Sequence, residues 1–257
     1  MEFTPINDFI QYLKFPHRRI FHDQVSSPLL YVSLLFVCAF VLNIFAITIV
    51  NIAIVDLENI GNVFDELDYG FWAMFGLAVI AAPLGEELIF RFPLKYKIPV
   101  SLLISSIIAG FVAYFFYKTT WPDMKYAVPL LLFIVVNYFL VESESIIRKR
   151  NQVGDSSSLS DLDAQSGDEE SRVDRLFPIF FYLVAMTFAF IHIYNYDSTQ
   201  FSFWMTPFIV IPQFILALFL GFVRMRVGIW ASIYMHALNN FIPLLLYYSV
   251  KDLLPPG

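Results

Sequence analysis

Long apolar runs separated by short polar breaks dominate the chain, and the runs have the length of membrane-crossing helices. Such a helix needs about 20 mostly apolar residues. Residues 24–55 carry no charge, so a first span is expected over residues 28–55. A second begins at Gly70, stays uncharged until Glu86 and is expected to run on to about Lys97. Residues 98–117, 126–141, 176–196, 203–223 and 227–250 complete a set of seven. The pattern predicts an all-α polytopic membrane bundle over residues 28–250, with no internal repeat. Residues 1–27 form a polar cytoplasmic segment in which Phe9, Ile10, Tyr12, Leu13 and Phe15 suit a short helix lying on the membrane surface.

Composition agrees with that pattern. Apolar residues make up 58% of the chain and charged residues 15%, against roughly 45–50% and 25% in soluble domains. So few charges could not cover that much apolar surface in water. A net charge of −6 argues against nucleic acid as a partner. The single cysteine, Cys38, excludes an intramolecular disulfide and a cysteine-based metal site.

Basic residues orient the bundle, because cytoplasmic loops hold an excess of Lys and Arg. With the N-terminus inside, thirteen fall on the inner side and three, Lys118, Lys125 and Lys251, on the outer. The expected topology is N-in and C-out. Within the long inner loop, residues 151–171 consist of Ser, Asp, Glu, Gln and Gly with almost no apolar side chain. They cannot bury enough surface to fold and are expected to form a disordered acidic cytoplasmic linker.

Polar groups inside the spans are where chemistry is expected, since an intramembrane charge costs at least about 2.5–3.5 kcal/mol. Three clusters stand out: Glu86-Glu87-Leu88-Ile89-Phe90-Arg91, Phe188-Ala189-Phe190-Ile191-His192 and His236-Ala237-Leu238-Asn239-Asn240. Glu87 and Arg91 are four residues apart on one helical face, so each lowers the cost of burying the other. Glu86 lies about 100° further round and is free for another partner. His236 and Asn240 share a stripe that suits metal ligation or donation to an oxyanion. Counting about 1.5 Å per residue from the inner helix ends puts Glu86, His236 and His192 within roughly 10 Å of one another in depth, with His192 the outlier. Ser232 precedes His236 by four residues, but hydroxyls there usually bond back to their own helix, so no nucleophilic serine is expected. The His-Glu-x-x-His zinc-protease pattern is absent.

Glu-Glu-x-x-x-Arg, Phe-x-x-x-His and His-x-x-x-Asn, in that order and each in an apolar helix, resemble the CPBP family of intramembrane proteases, the CAAX prenyl and bacteriocin-processing enzymes. The stretch from Gly221 to Trp230 is also similar to the family's approach to its last motif, and the resemblance covers about residues 70–242. It implies an endopeptidase acting on a membrane-associated protein or peptide, prenylated or carrying a leader, in the inner membrane of a bacterial cell. Glu86 would activate a water with His192 beside it. His236 and Asn240 would stabilise the oxyanion, Glu87 would pair with Arg91, and Phe188 would support the site. Glu86, His192 and His236 would alternatively supply three ligands to a Zn²⁺ ion. One departure is the 105 positions between Glu87 and His192, where the family has a few tens. Two other classes compete: a proton- or ion-coupled transporter, which uses similar buried groups, and a non-catalytic immunity or scaffold protein of the same fold.

Overall fold

A computed structural model describes residues 5–17, 25–53, 70–95, 177–196 and 201–250. Their regular structure is helical, with no strand among the described residues. The elements are α1 (Pro5–Lys14), α2 (Pro28–Ala53), α3 (Phe71–Phe90), α4 (Phe177–Ile191), α5 (Ile211–Arg226) and α6 (Ile229–Val250). Three of them, α2, α3 and α6, are long and apolar enough to cross a membrane. The protein is an all-α membrane bundle. The chain divides into two compact units, Met1–Leu94 with Phe181–Gly257, and Lys95–Phe180. The second is described only at Lys95 and Phe177–Phe180. The expected spans over 98–117 and 126–141, and the acidic linker, lie outside the described residues.

The first unit is built around α5. Leu216, Ala217, Phe219, Leu220, Phe222 and Val223 are all buried, so this helix is covered nearly all round by neighbours. On α2 only one stripe is covered: Tyr31, Leu35, Ala39, Asn43, Ala46 and Val50 recur every three or four residues and lie on the side that packs against α5. The rest of α2 is equally apolar yet exposed (Leu34, Val37, Val41, Phe45, Ile52). In water that face would be a liability; in a bilayer lipid covers it. Phe181 of α4 rests directly over Gly221, where a Cβ atom would come within 2.7 Å of the ring.

Helix α1 forms where a short surface helix is expected, and half of its apolar set faces protein. Phe9 stacks on Phe219 with ring centroids 3.9 Å apart. Tyr12 meets Phe181 and Phe222 at 5.4 and 5.2 Å. Tyr31 donates to Asp8 at 3.0 Å, and Tyr182 donates to the Leu13 carbonyl. Ile10 and Phe15 remain exposed on the outer face.

Proline and glycine explain where observed ends differ from expected ones. Helix α3 stops at Phe90 rather than near Lys97, with Arg91 as its cap and a 3₁₀ turn over Phe92–Lys95. Pro93 has no N–H with which to extend the ladder. The span expected over 203–223 is broken into a turn at Phe203–Met205, a short piece at Thr206–Ile209 and α5. The last two each begin with a proline in the first turn, where the missing N–H costs nothing. Helix α5 then runs to Arg226, so Arg224, expected in a loop, is a buried helical residue. Gly228, at φ +144°, supplies the break before α6. In α4 the α-helix ends at Ile191, and His192 opens a 3₁₀ turn.

Candidate active site

Helix α3 carries the two carboxylates and is unusual in its middle. Phe75–Ala81 forms a π-helical segment, after which Ala82–Phe90 returns to the α form. Each wide turn takes one more residue than an α turn, which rotates the remainder of the helix by about 100°. Trp72, Leu77, Ile80, Leu84 and Leu88 are exposed, while Pro83, Glu87 and Phe90 are buried. The acidic pair is thus presented to α6, against which this part of α3 packs.

Glu87 is fully buried and closely tied. Its Oε1 stands 3.1 Å from His236 Nδ1 and 3.6 Å from Arg91 Nε. Its Oε2 accepts from the hydroxyl of Ser232, which also lies 3.0 Å from the Leu220 carbonyl. Ser232 therefore bonds across to α3 and α5 instead of back along its own helix. Arg91 is 1% exposed, and its guanidinium lies 4.0 Å over the ring of Phe188. Arg224 Nε donates to the Arg91 carbonyl at 3.1 Å, fixing the end of α3 to α5.

Glu86 faces a different environment. Its side chain is 29% exposed, and its Oε2 is shielded without a hydrogen-bond partner among the described residues. That oxygen lies 3.6 Å from His192 Nε2 and 3.7 Å from His236 Nε2. The other ring nitrogens are already engaged. His192 Nδ1 is 2.8 Å from the Phe188 carbonyl, which can only accept, so Nδ1 carries the proton. His236 Nδ1 faces Glu87 in the same sense. In the tautomer whose one proton is on Nδ1, each ring turns an Nε2 lone pair toward Glu86 Oε2. Three acceptors meet at one point with no donor between them. Phe188 is completely buried behind this point, its ring centroid 4.5 Å from that of His192 and 5.7 Å from that of His236.

Of the residues singled out from sequence, Glu86, Glu87, Arg91, Phe188, His192 and His236 come together. Asn240 does not join them through its amide: Nδ2 donates to the Ala78 carbonyl at 2.8 Å. Ser232 and Arg224 belong to the cluster although sequence rules point elsewhere, to a hydroxyl bonding within its own helix and to a loop charge. Among the described residues no group of three His, Cys, Asp or Glu side chains is spaced to hold a metal ion.

Residues 169–242 match the model of a protein family described as type II CAAX prenyl endopeptidase Rce1-like. The match includes the Phe-x-x-x-His and His-x-x-x-Asn motifs and leaves out the acidic motif on α3. The resemblance to CPBP/CAAX-type intramembrane proteases therefore stands on a finding independent of the acidic pair. It supports CAAX-type endopeptidase activity in an integral membrane protein, working on a membrane-associated substrate. No curated protein and no solved structure matches the chain.

Proposed function

We propose that this protein is an intramembrane endopeptidase in which Glu86 activates a water molecule for attack on a peptide carbonyl. The observation that carries the reading is the convergence of Glu86 Oε2, His192 Nε2 and His236 Nε2 with no donor between them. A water molecule offers two protons and keeps a lone pair for attack. Glu86 takes a proton as the water oxygen bonds to the carbonyl carbon, with His192 as the second acceptor. Glu86 passes that proton on to His236 Nε2, 3.7 Å from its Oε2, and the ring then donates it in a hydrogen bond to the oxyanion that forms. Glu87 stabilises that imidazolium through Nδ1 and fixes the ring orientation, while Arg91 holds Glu87. The proton taken from water then goes to the leaving amine as the C–N bond breaks. No step passes through a metal.

By the family resemblance, the substrate is a prenylated or leader-bearing membrane peptide and the setting is a bacterial cell membrane. The transporter reading is disfavoured because it gives no reason for two imidazoles to share one carboxylate oxygen. A scaffold has no use for Glu86, whose Oε2 makes no structural hydrogen bond among the described residues.

The test is a cleavage screen in reconstituted membranes with prenylated CAAX peptides and leader peptides, read by mass spectrometry. Wild type should cleave at a defined bond, and Glu86→Gln should lose about 10²–10⁴-fold in turnover with an unchanged melting temperature. Metal analysis of the same preparation should find no stoichiometric Zn²⁺. Normal turnover by Glu86→Gln would falsify the assignment.

A further inference from the structure

The π segment of α3 leaves one carbonyl without a backbone donor. In the i to i+5 register the last bond runs from the Ala82 N–H to the Leu77 carbonyl. The next in that register would run from residue 83 to the carbonyl of Ala78. Residue 83 is proline and has no N–H. The alternative α-type donor to Ala78 is the Ala82 N–H, which is already used. An unsatisfied carbonyl inside a membrane bundle is costly. Asn240 supplies the missing donor, with Nδ2 2.8 Å from the Ala78 carbonyl. The rings of Phe75 and Phe241, 5.9 Å apart, hold the two helices together beside this bond.

We infer that Asn240 is a positioning residue: it completes the π turn at Ala78 in place of Pro83, and so holds the rotation that aims Glu86 and Glu87 at the imidazoles. This departs from the oxyanion role that the motif His-x-x-x-Asn implies. The catalytic consequence rests on the protease reading, whereas the hydrogen-bond pairing does not. Pro83 lies in the first turn of the α-helical continuation, only three residues before Glu86, so a slip at Ala78 turns the acidic pair with it. A misplacement of about 1 Å at a reacting group can cost roughly 10²-fold in rate.

The experiment is a double-mutant cycle of Asn240→Ala and Pro83→Ala in the full-length protein, read by turnover and by melting temperature. Pro83→Ala returns an N–H to Ala78. Asn240→Ala should lower kcat by about 10²-fold in the wild-type background with little change in KM, and by less than about threefold beside Pro83→Ala. Melting temperature should follow the same pattern, with a loss of roughly 2–4 °C that disappears in the double variant. An equal loss of kcat in both backgrounds overturns the inference and returns Asn240 to the reacting atoms. So does full activity of Asn240→Ala alone. If Asn240→Ala does not accumulate, the double variant is compared with Pro83→Ala: similar turnover supports the inference and lost turnover overturns it. Coupling in melting temperature, with a wild type that cleaves no peptide, keeps the pairing and removes only the protease reading.

Discussion

Glu86 and Glu87 are neighbours in the chain and opposites in environment. Glu87 is sealed from solvent and ringed by an arginine, a serine and an imidazole, all within the first unit of the bundle. Glu86 is 29% exposed and faces two imidazole nitrogens beyond hydrogen-bonding distance. One residue of helical rotation separates a carboxylate whose interactions are saturated from one whose interactions are open. A saturated carboxylate contributes to structure and orients its partners. An open one, facing acceptors, is set up to receive a proton from something not yet there. The difference teaches that the motif combines two functions and that their separation should show in which property each substitution damages.

The largest expected effect comes from the sealed side. Glu87→Gln removes the carboxylate paired with the buried guanidinium of Arg91, and breaking a buried pair costs about 3–5 kcal/mol. Expression and melting temperature should fall together with turnover. By contrast, Glu86→Gln should remain folded and inactive, because a neutral amide is cheaper to bury than a carboxylate. If thermal melts show Glu86→Gln as the unstable variant and Glu87→Gln as the stable inactive one, the two assignments exchange places.

Replacing both partners sharpens the comparison. In Glu87→Gln with Arg91→Met no charge is stranded, so part of the lost stability should return, measured as melting temperature against the single variant. Activity should stay low, since His236 still lacks the carboxylate that stabilises its imidazolium. A double variant as unstable as Glu87→Gln alone would mean that Glu87 is held chiefly by Ser232 and His236 and that the arginine is incidental.

Much of this site is legible in the sequence because charge in an apolar helix is conspicuous. The helical spacing of Glu87 and Arg91 and the position of the histidines are visible as departures from hydrophobicity. Backbone register is not visible in that way. The π segment lies in Phe75–Ala81, which is apolar throughout and has no side-chain signature. Only Pro83, two residues beyond, hints that the ladder there is irregular. For the same reason hydropathy suggests an unbroken span over 203–223, although Pro207 and Pro212 divide it. Ser232 escapes for a further reason: local rules describe bonds within one helix, and its acceptors lie 145 and 12 positions away. For α1, amphipathic spacing locates the helix but not which partner covers its inner face.

The smallest expected effect probes the edge of the sealed region. Ser232 is fully buried, and its one hydroxyl proton lies within reach of both Glu87 Oε2 and the Leu220 carbonyl. Ser232→Ala removes that donor and leaves two buried acceptors less satisfied, at a cost of about 1–3 kcal/mol. Arg91 and His236 still hold Glu87, so its carboxylate should shift little. The variant should therefore melt lower by several degrees while folded protein keeps turnover within roughly tenfold of wild type. The direction of that split is the informative part. A loss of turnover beyond about 10²-fold at unchanged melting temperature would place the hydroxyl among the groups that move protons. The boundary between the structural and the reactive carboxylate would then run through Glu87 itself rather than between it and Glu86.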